Sequence, residues 1–105
     1  APIDGTALDF RAPRPVGATV LDHAFAGLPE GTWTITVTDP ASGLGVAITG
    51  DVGYAQVYTA DAMGRTALAV EPMSCAPDAF NSGDGLVALA PGERHRFSCG
   101  LRALT

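Results

Sequence analysis

A strict alternation of threonine and apolar residues over positions 32–38 constrains the fold of this chain more than any other feature. The segment reads Thr-Trp-Thr-Ile-Thr-Val-Thr, so Trp33, Ile35 and Val37 share one face and the threonines share the other. Successive side chains of a β-strand point to opposite faces of the sheet, which gives a period of two. The segment is therefore predicted to be a strand with one buried and one solvated face.

The same period continues beyond this strand. Residues 39–43 (Asp-Pro-Ala-Ser-Gly) supply turn formers, and apolar residues alternate again over 44–48. Residues 32–49 are therefore predicted to form a β-hairpin. Further strands are predicted at residues 55–59, 67–71, 86–89 and 94–103, with a short strand in 6–15 that runs into a Pro-rich loop.

No stretch of 11 or more residues shows a helical period, and the predicted fold class is an all-β, antiparallel β-sandwich. Residues 72–85 are predicted to be a long irregular loop with one helical turn near Ala79. Alanine is common in the predicted strands and buries little apolar area, at about 25 cal/mol per Å². We therefore expect these strands to belong to a larger sheet; the alanines concerned are Ala47, Ala55, Ala67, Ala69, Ala88 and Ala103.

Size and charge exclude several classes of protein. The 105 residues suffice for one small domain. The formal net charge is -5, there is no lysine, and the six arginines are scattered, which argues against binding to nucleic acid or to an anionic membrane. No apolar stretch approaches the roughly 20 residues that span a bilayer.

Glu71 is the side chain with the clearest chemical potential. It is predicted to end the strand 67–71 and to open onto the stiff loop 72–85. Such positions hold a reactive group firmly and leave it accessible. On the residues alone, Glu71 is either a functional carboxylate or a solvated glutamate at a strand end.

Five short motifs, taken in order, resemble the aldose 1-epimerase (sugar mutarotase) family. Each motif is weak alone, but their common order over nearly the whole chain makes the resemblance specific. They are Gly-Thr-Ala-Leu-Asp-Phe-Arg at 5–11, Leu-Asp-His-Ala-Phe at 21–25, Gln-Val-Tyr-Thr at 56–59, Glu71 followed by Pro77-Asp78-Ala79 and Asn81, and Pro-Gly-Glu at 91–93. Ala7, where the family usually has proline, and Pro72, directly after the glutamate, depart from the pattern without removing a catalytic group.

The resemblance implies a role for three side chains. Glu71 would be the general base that removes the proton from the anomeric hydroxyl of a sugar. Asp22 would bind sugar hydroxyls, and Gln56 would be a further sugar contact. Ring opening takes a proton from O1 and gives one to the ring oxygen, so one base and one acid suffice without a metal or an organic cofactor.

In the family the acid is a histidine from the earlier part of the chain, and neither histidine here matches it. His23 is predicted to have a structural role beside Asp22, and His95 to lie in the core on the apolar face of the last strand. Residues 1–105 are thus expected to be the C-terminal segment of a single large mutarotase-type β-sandwich domain. Alone the segment is expected to be inactive and to associate with the N-terminal part of the same protein.

The resemblance implies a cytoplasmic isomerase that interconverts the α- and β-anomers of a free aldohexose such as galactose or glucose. Cys75 and Cys99 are then expected to be reduced. Two alternatives are a mutarotase-like protein acting on hexose 6-phosphates, which would need arginines around the pocket, and a non-catalytic carbohydrate-binding β-module, which would expose a row of aromatic residues.

Overall fold

A computed structural model describes residues 2–104, and within this range it contains six β-strands, one short α-helix and one turn of 3₁₀-helix at 61–63. No helix in this part of the chain has the length and apolar character needed to cross a membrane. The strands are β1 (Asp22–Phe25), β2 (Trp33–Thr38), β3 (Gly45–Gly50), β4 (Tyr54–Tyr58), β5 (Ala69–Met73) and β6 (Cys99–Leu104), and the helix is α1 (Ala79–Ser82).

The strands form two antiparallel three-stranded sheets, with strand orders β1-β4-β5 and β2-β3-β6. The predicted hairpin is confirmed: β2 and β3 pair from Trp33 opposite Gly50 to Thr38 opposite Gly45. The prediction of an all-β, antiparallel sandwich is also confirmed. The predicted helical turn near Ala79 is present as α1.

The centre of the core is Trp33, which packs with Val52 and Ala55 and is flanked by Leu28 and Ile35. This cluster joins the two sheets, since Trp33 belongs to β2 and Ala55 to β4. The indole Nε1 donates a hydrogen bond of 2.7 Å to the carbonyl of Val52, which satisfies the polar atom of a buried ring.

Trp33→Phe tests how much the hydrogen bond from Trp33 to Val52 contributes to stability. The change removes the indole N–H and leaves the Val52 carbonyl without its donor, which we expect to cost about 1–3 kcal/mol of unfolding free energy. Thr34→Val, on the exposed face of the same strand, should stay within about 0.5 kcal/mol of the parent. Urea denaturation measures both, and equal stability of Trp33→Phe and the parent would show that the bond contributes nothing.

The last strand begins later than predicted. It starts at Cys99 because its partner β3 ends at Gly50, and Asp51 closes the ladder: its carboxylate accepts a bond of 2.9 Å from the Ser98 amide. The prediction of a strand from residue 94 was wrong for 94–98. His95 is accordingly exposed, with its ring 6.0 Å from that of Phe97, and the prediction that it lies in the core was also wrong.

Two other predicted strands are not formed. Residues 86–89 pair with no strand in the described part of the chain, and their large side chains are exposed. In the segment 6–15, side chains bond to the nearby backbone instead: the Thr6 hydroxyl donates to the carbonyl of Ile3, and the Arg14 guanidinium to that of Asp9. Such local bonds compete with a strand ladder.

The strand that carries Glu71 is shifted by two residues from the predicted range. It runs through Pro72 to Met73, so Glu71 lies at its centre rather than at its end. Proline is tolerated here because β5 is at the edge of its sheet, where one row of backbone groups has no strand partner.

The described fold leaves much apolar surface uncovered. Its accessible area is 7413 Å², whereas a folded monomer of this mass exposes about 5,500 Å². The radius of gyration is 15.2 Å, against about 13 Å for a compact domain of this length. Leu101 of β6, for example, is 77% exposed. The faces of the two sheets are thus incompletely covered by the described residues, and the larger sheet expected from the sequence stays a prediction.

Candidate functional site

The three predicted site residues lie on one face of the β1-β4-β5 sheet. Gln56 on the central strand is directly opposite Glu71 on one side and Ala24 on the other. Asp22 lies two residues before Ala24 and therefore points to the same face. The opposite face carries Ala55, which packs in the core. The candidate site is thus on the outer side of a sheet whose inner side is anchored.

A hydrogen bond joins two of these side chains directly. The Gln56 Nε2 donates to the Asp22 Oδ1 at 2.8 Å, across two strands that are 34 residues apart in sequence. An ionised carboxylate only accepts hydrogen bonds, so this contact fixes the amide with its nitrogen towards Asp22. The Gln56 Oε1 is then left buried and without a hydrogen-bond donor.

An amide oxygen in this state is unusual in a folded protein. Burying an acceptor without a partner costs free energy, which a hydroxyl or N–H group of a ligand would recover. The Gln56 Oε1 is therefore an acceptor on this face whose hydrogen-bonding capacity the described residues leave unused. The orientation of the Gln56 amide depends on its contact with Asp22, 34 positions away in the sequence, so the sequence alone does not predict it.

Glu71 stands beside this acceptor. Directly opposed residues in an antiparallel pair have Cβ atoms about 5 Å apart, and Gln56 and Glu71 are such a pair. Glu71 is exposed, so its carboxylate is accessible from solvent. A carboxylate at this position can accept a proton from a bound hydroxyl group.

The same face carries Tyr54, Tyr58 and Met73, which were not assigned to the site from the sequence. Tyr58 lies opposite Asp22, while Tyr54 and Met73 lie opposite each other. All three are half-buried, so they flank the polar residues with apolar surface. The sequence already indicates the position of the two tyrosines, because the alternation Tyr-x-Gln-x-Tyr over 54–58 places Tyr54 and Tyr58 on the face of Gln56. Met73 was missed because it was predicted to lie in the loop.

The loop that follows Glu71 folds back on this face. The Ala76 amide donates to the carbonyl of Asp84 at 3.0 Å, which closes the loop. Gly85 then packs on the ring of Tyr54, so closely that a Cβ there would lie 2.7 Å from the Tyr54 Cε2, and its φ of +72° also favours glycine. The loop is therefore fixed to the strand that carries Gln56.

His23 does not join the site. It alternates with Asp22 and so faces the opposite side of the sheet, where its Nδ1 accepts a bond of 3.0 Å from the Asp22 amide. The structural role expected for His23 stays a prediction. Within the described residues, no three His, Cys, Asp or Glu side chains gather closely enough to hold a metal ion.

The fold and this face define the class to which the molecule belongs, a β-sandwich protein with a carboxylate-lined sheet surface. Comparison with known proteins then places it within that class. The family described as "Aldose 1-epimerase" matches residues 1–102, and the chain belongs to this family.

One curated relative gives the extent of the match. The chain is 40% identical over 95 residues to a protein of Escherichia coli (strain K12) named "Uncharacterized protein YihR". The alignment covers 90% of this chain and 30% of the relative, so the chain spans about a third of that protein's length. No solved structure matches the chain.

Proposed function

We propose that the protein containing this chain is an aldose 1-epimerase that interconverts the α- and β-anomers of a free aldohexose such as galactose or glucose. The observation that carries this proposal is the meeting of Asp22, Gln56 and Glu71 on one sheet face, with the buried Gln56 Oε1 lacking a donor. Aldohexoses are rich in hydroxyl groups, which are the donors that these oxygens need.

We propose that one proton-transfer step of anomer exchange falls to this chain. Anomer exchange opens a hemiacetal: the O1 proton leaves, the bond from C1 to the ring oxygen breaks, and the ring oxygen gains a proton. Rotation about C1–C2 and closure then give the other anomer. Glu71 is proposed to take the O1 proton, while Asp22 and Gln56 accept hydroxyl protons in hydrogen bonds and so orient the sugar.

The acid that protonates the ring oxygen is proposed to be a histidine from the N-terminal part of the same protein. That part is also proposed to cover the apolar surface that the described fold exposes. No metal and no organic cofactor enters this mechanism. We further propose a cytoplasmic location, in keeping with the free thiols of Cys75 and Cys99.

A free sugar is favoured over a hexose 6-phosphate by the charge of the site. Among the described residues, the site face carries the carboxylates of Asp22 and Glu71 and no arginine. Carboxylates repel a phosphate dianion, which arginine forks bind well. A non-catalytic sugar-binding module remains the other candidate, and polarimetry of freshly dissolved α-D-galactose and α-D-glucose with the full-length protein separates catalysis from binding.

Asp22→Ala tests the proposed sugar contact. If Asp22 binds the sugar equally in the ground and transition states, the change should raise KM roughly tenfold or more and leave kcat nearly unchanged. Glu30→Ala removes a carboxylate from an exposed loop and should alter neither constant. A fall in kcat with KM unchanged would assign Asp22 to proton transfer instead.

A further inference from the structure

A cluster of polar contacts holds the segment before β1 against the turn after β4. We name it the Thr59 bracket, and it consists of Thr59, Asp61 and Arg65. Thr59 follows the last residue of β4, and Asp61 begins the 3₁₀ turn. The bracket reaches residues 17–21, which are more than 35 positions away in sequence.

The first part of the bracket extends the pairing of β1 with β4 by one residue. Beyond the pair Asp22–Tyr58, the Thr59 amide donates to the Leu21 carbonyl at 2.9 Å. The Leu21 amide in turn donates to the Thr59 Oγ1 at 3.1 Å. Leu21 and Thr59 are only 2% and 3% exposed, so these bonds lie out of water.

The second part uses charge. The Thr59 hydroxyl lies within hydrogen-bond distance of two acceptors, the Leu21 carbonyl at 3.2 Å and the Asp61 carboxylate. The charged carboxylate is the stronger acceptor, so the hydroxyl donates to Asp61. The Arg65 guanidinium donates to Asp61 at 2.9 Å, and also to the carbonyls of Gly17 at 2.9 Å and Thr19 at 3.1 Å. The hydrogen bond from Thr59 is the larger cause of a lowered pKa at the Asp61 carboxyl group, and the bond from Arg65 is the next.

The turn that carries the bracket is strained. Ala60 and Arg65 have φ values of 54° and 60°, in the left-handed region that disfavours residues with a Cβ. Such strain persists where surrounding contacts over-determine the backbone, and it gathers near functional positions. This turn lies beside the start of β1, where Asp22 is the first residue.

Asp22 needs support at this position. It is the first residue of β1, a four-residue strand at the edge of its sheet in the described structure. The ends of short edge strands open easily because few contacts hold them. On the N-terminal side of Asp22, the bracket supplies hydrogen bonds that oppose this opening.

We propose that the Thr59 bracket is a positioning device for Asp22: it fixes the start of β1 so that the Asp22 carboxylate meets Gln56 and presents its remaining lone pairs to the ligand. Thr59 and Arg65 are thereby positioning residues that act through Asp22 and do not touch the sugar. The effect on the sugar rests on the proposed function; the effect on the Asp22–Gln56 contact does not.

The test is a double-substitution cycle in the full-length protein, read by polarimetry. Thr59→Val keeps the side-chain shape and removes the hydroxyl, and it should raise KM roughly tenfold with kcat within about twofold of the parent. Thr59→Ser keeps the hydroxyl and should restore a KM near that of the parent. In an Asp22→Ala background, Thr59→Val should leave KM unchanged, because the residue through which it acts is gone.

A merely structural role predicts a different pattern. In that case Thr59→Val would change KM by the same factor with or without Asp22, and this result would overturn the proposal, as would an unchanged KM in the parent background. If Thr59→Val does not fold, Arg65→Lys takes its place, since it keeps the charge beside Asp61 but loses the two bonds from Nη2 to the carbonyls of Gly17 and Thr19. Arg14→Met is the control: Arg14 also donates to backbone carbonyls, those of Ala7, Asp9 and Pro15, and its loss should leave KM unchanged.

A second measurement tests the effect of the Thr59 bracket on the Asp22–Gln56 contact if the full-length protein shows no mutarotation and the proposed function fails. Gln56 is the only glutamine in this chain, and ¹⁵N-glutamine labelling shows its side-chain amide, identified by its disappearance in Gln56→Glu. Thr59→Val should shift this resonance in the same direction as Asp22→Ala, because both weaken the bond to Asp22. An unshifted Gln56 amide in Thr59→Val would overturn the proposal whatever the protein catalyses.

Discussion

Glu71→Gln is expected to lower kcat for mutarotation by roughly 10²–10⁴-fold, the usual effect of losing a general base. Glutamine keeps the shape and the hydrogen-bonding capacity of the side chain but does not accept the O1 proton. Since Glu71 is an exposed residue at the centre of an edge strand, the substitution should leave the fold and KM nearly unchanged. Polarimetry of the full-length protein with α-D-galactose measures the effect.

Asp78→Asn provides the comparison for this experiment. Asp78 is the nearest other carboxylate along the chain after Glu71, and it accepts a bond of 2.6 Å from the Asn81 side chain at the start of α1. We expect its substitution to lower stability more than kcat. If Asp78→Asn abolished turnover while Glu71→Gln left kcat near normal, the base would be assigned to the wrong residue.

Residues 1–105 expressed alone are expected to show no mutarotation above the buffer rate. The chain supplies the proposed base, while the acid is proposed to come from the N-terminal part of the protein. The described fold also exposes 7413 Å², well above the value of about 5,500 Å² for a compact monomer of this mass. The isolated chain should therefore self-associate, because exposed apolar faces and strand edges pair with other chains.

Two measurements check this expectation. Sedimentation velocity reports whether the chain is monomeric, and addition of the separately produced N-terminal part should convert it to a one-to-one complex and restore activity. The same mixture made with the Glu71→Gln chain should form the complex and remain inactive. Robust turnover by residues 1–105 alone would refute the division of acid and base between the two parts.

The alternation of apolar and polar residues was enough to predict strand pairing between strands that are neighbours in the sequence. The β2–β3 hairpin was correct because the alternation around Trp33 and the turn over 39–43 both lie within one short segment. Residues 86–89 have an apolar composition that suits a strand, but strand formation also needs a partner edge, which the sequence does not reveal. Likewise, the start of β6 at Cys99 depends on Asp51, which is 48 positions earlier in the chain.

For the candidate site, the sequence predicted three residues but not their arrangement, and their role stays a prediction. The motif resemblance identified Asp22, Gln56 and Glu71, which the register of three strands brings to one face. The bond from Gln56 to Asp22 and the unpartnered Gln56 Oε1 could not be predicted, because they arise from contacts between strands far apart in sequence. Tyr54 could have been assigned from its alternation with Gln56.

The register of β5 against β4 has a consequence for how native protein should be recognised. A slip of one residue would turn Glu71 to the inner face and bring Val70 or Pro72 opposite Gln56. A slipped molecule would keep its strands, so its circular dichroism spectrum would resemble that of the native protein. The turnover recovered after refolding therefore counts the molecules that have aligned these two strands correctly, which a measurement of strand content cannot do.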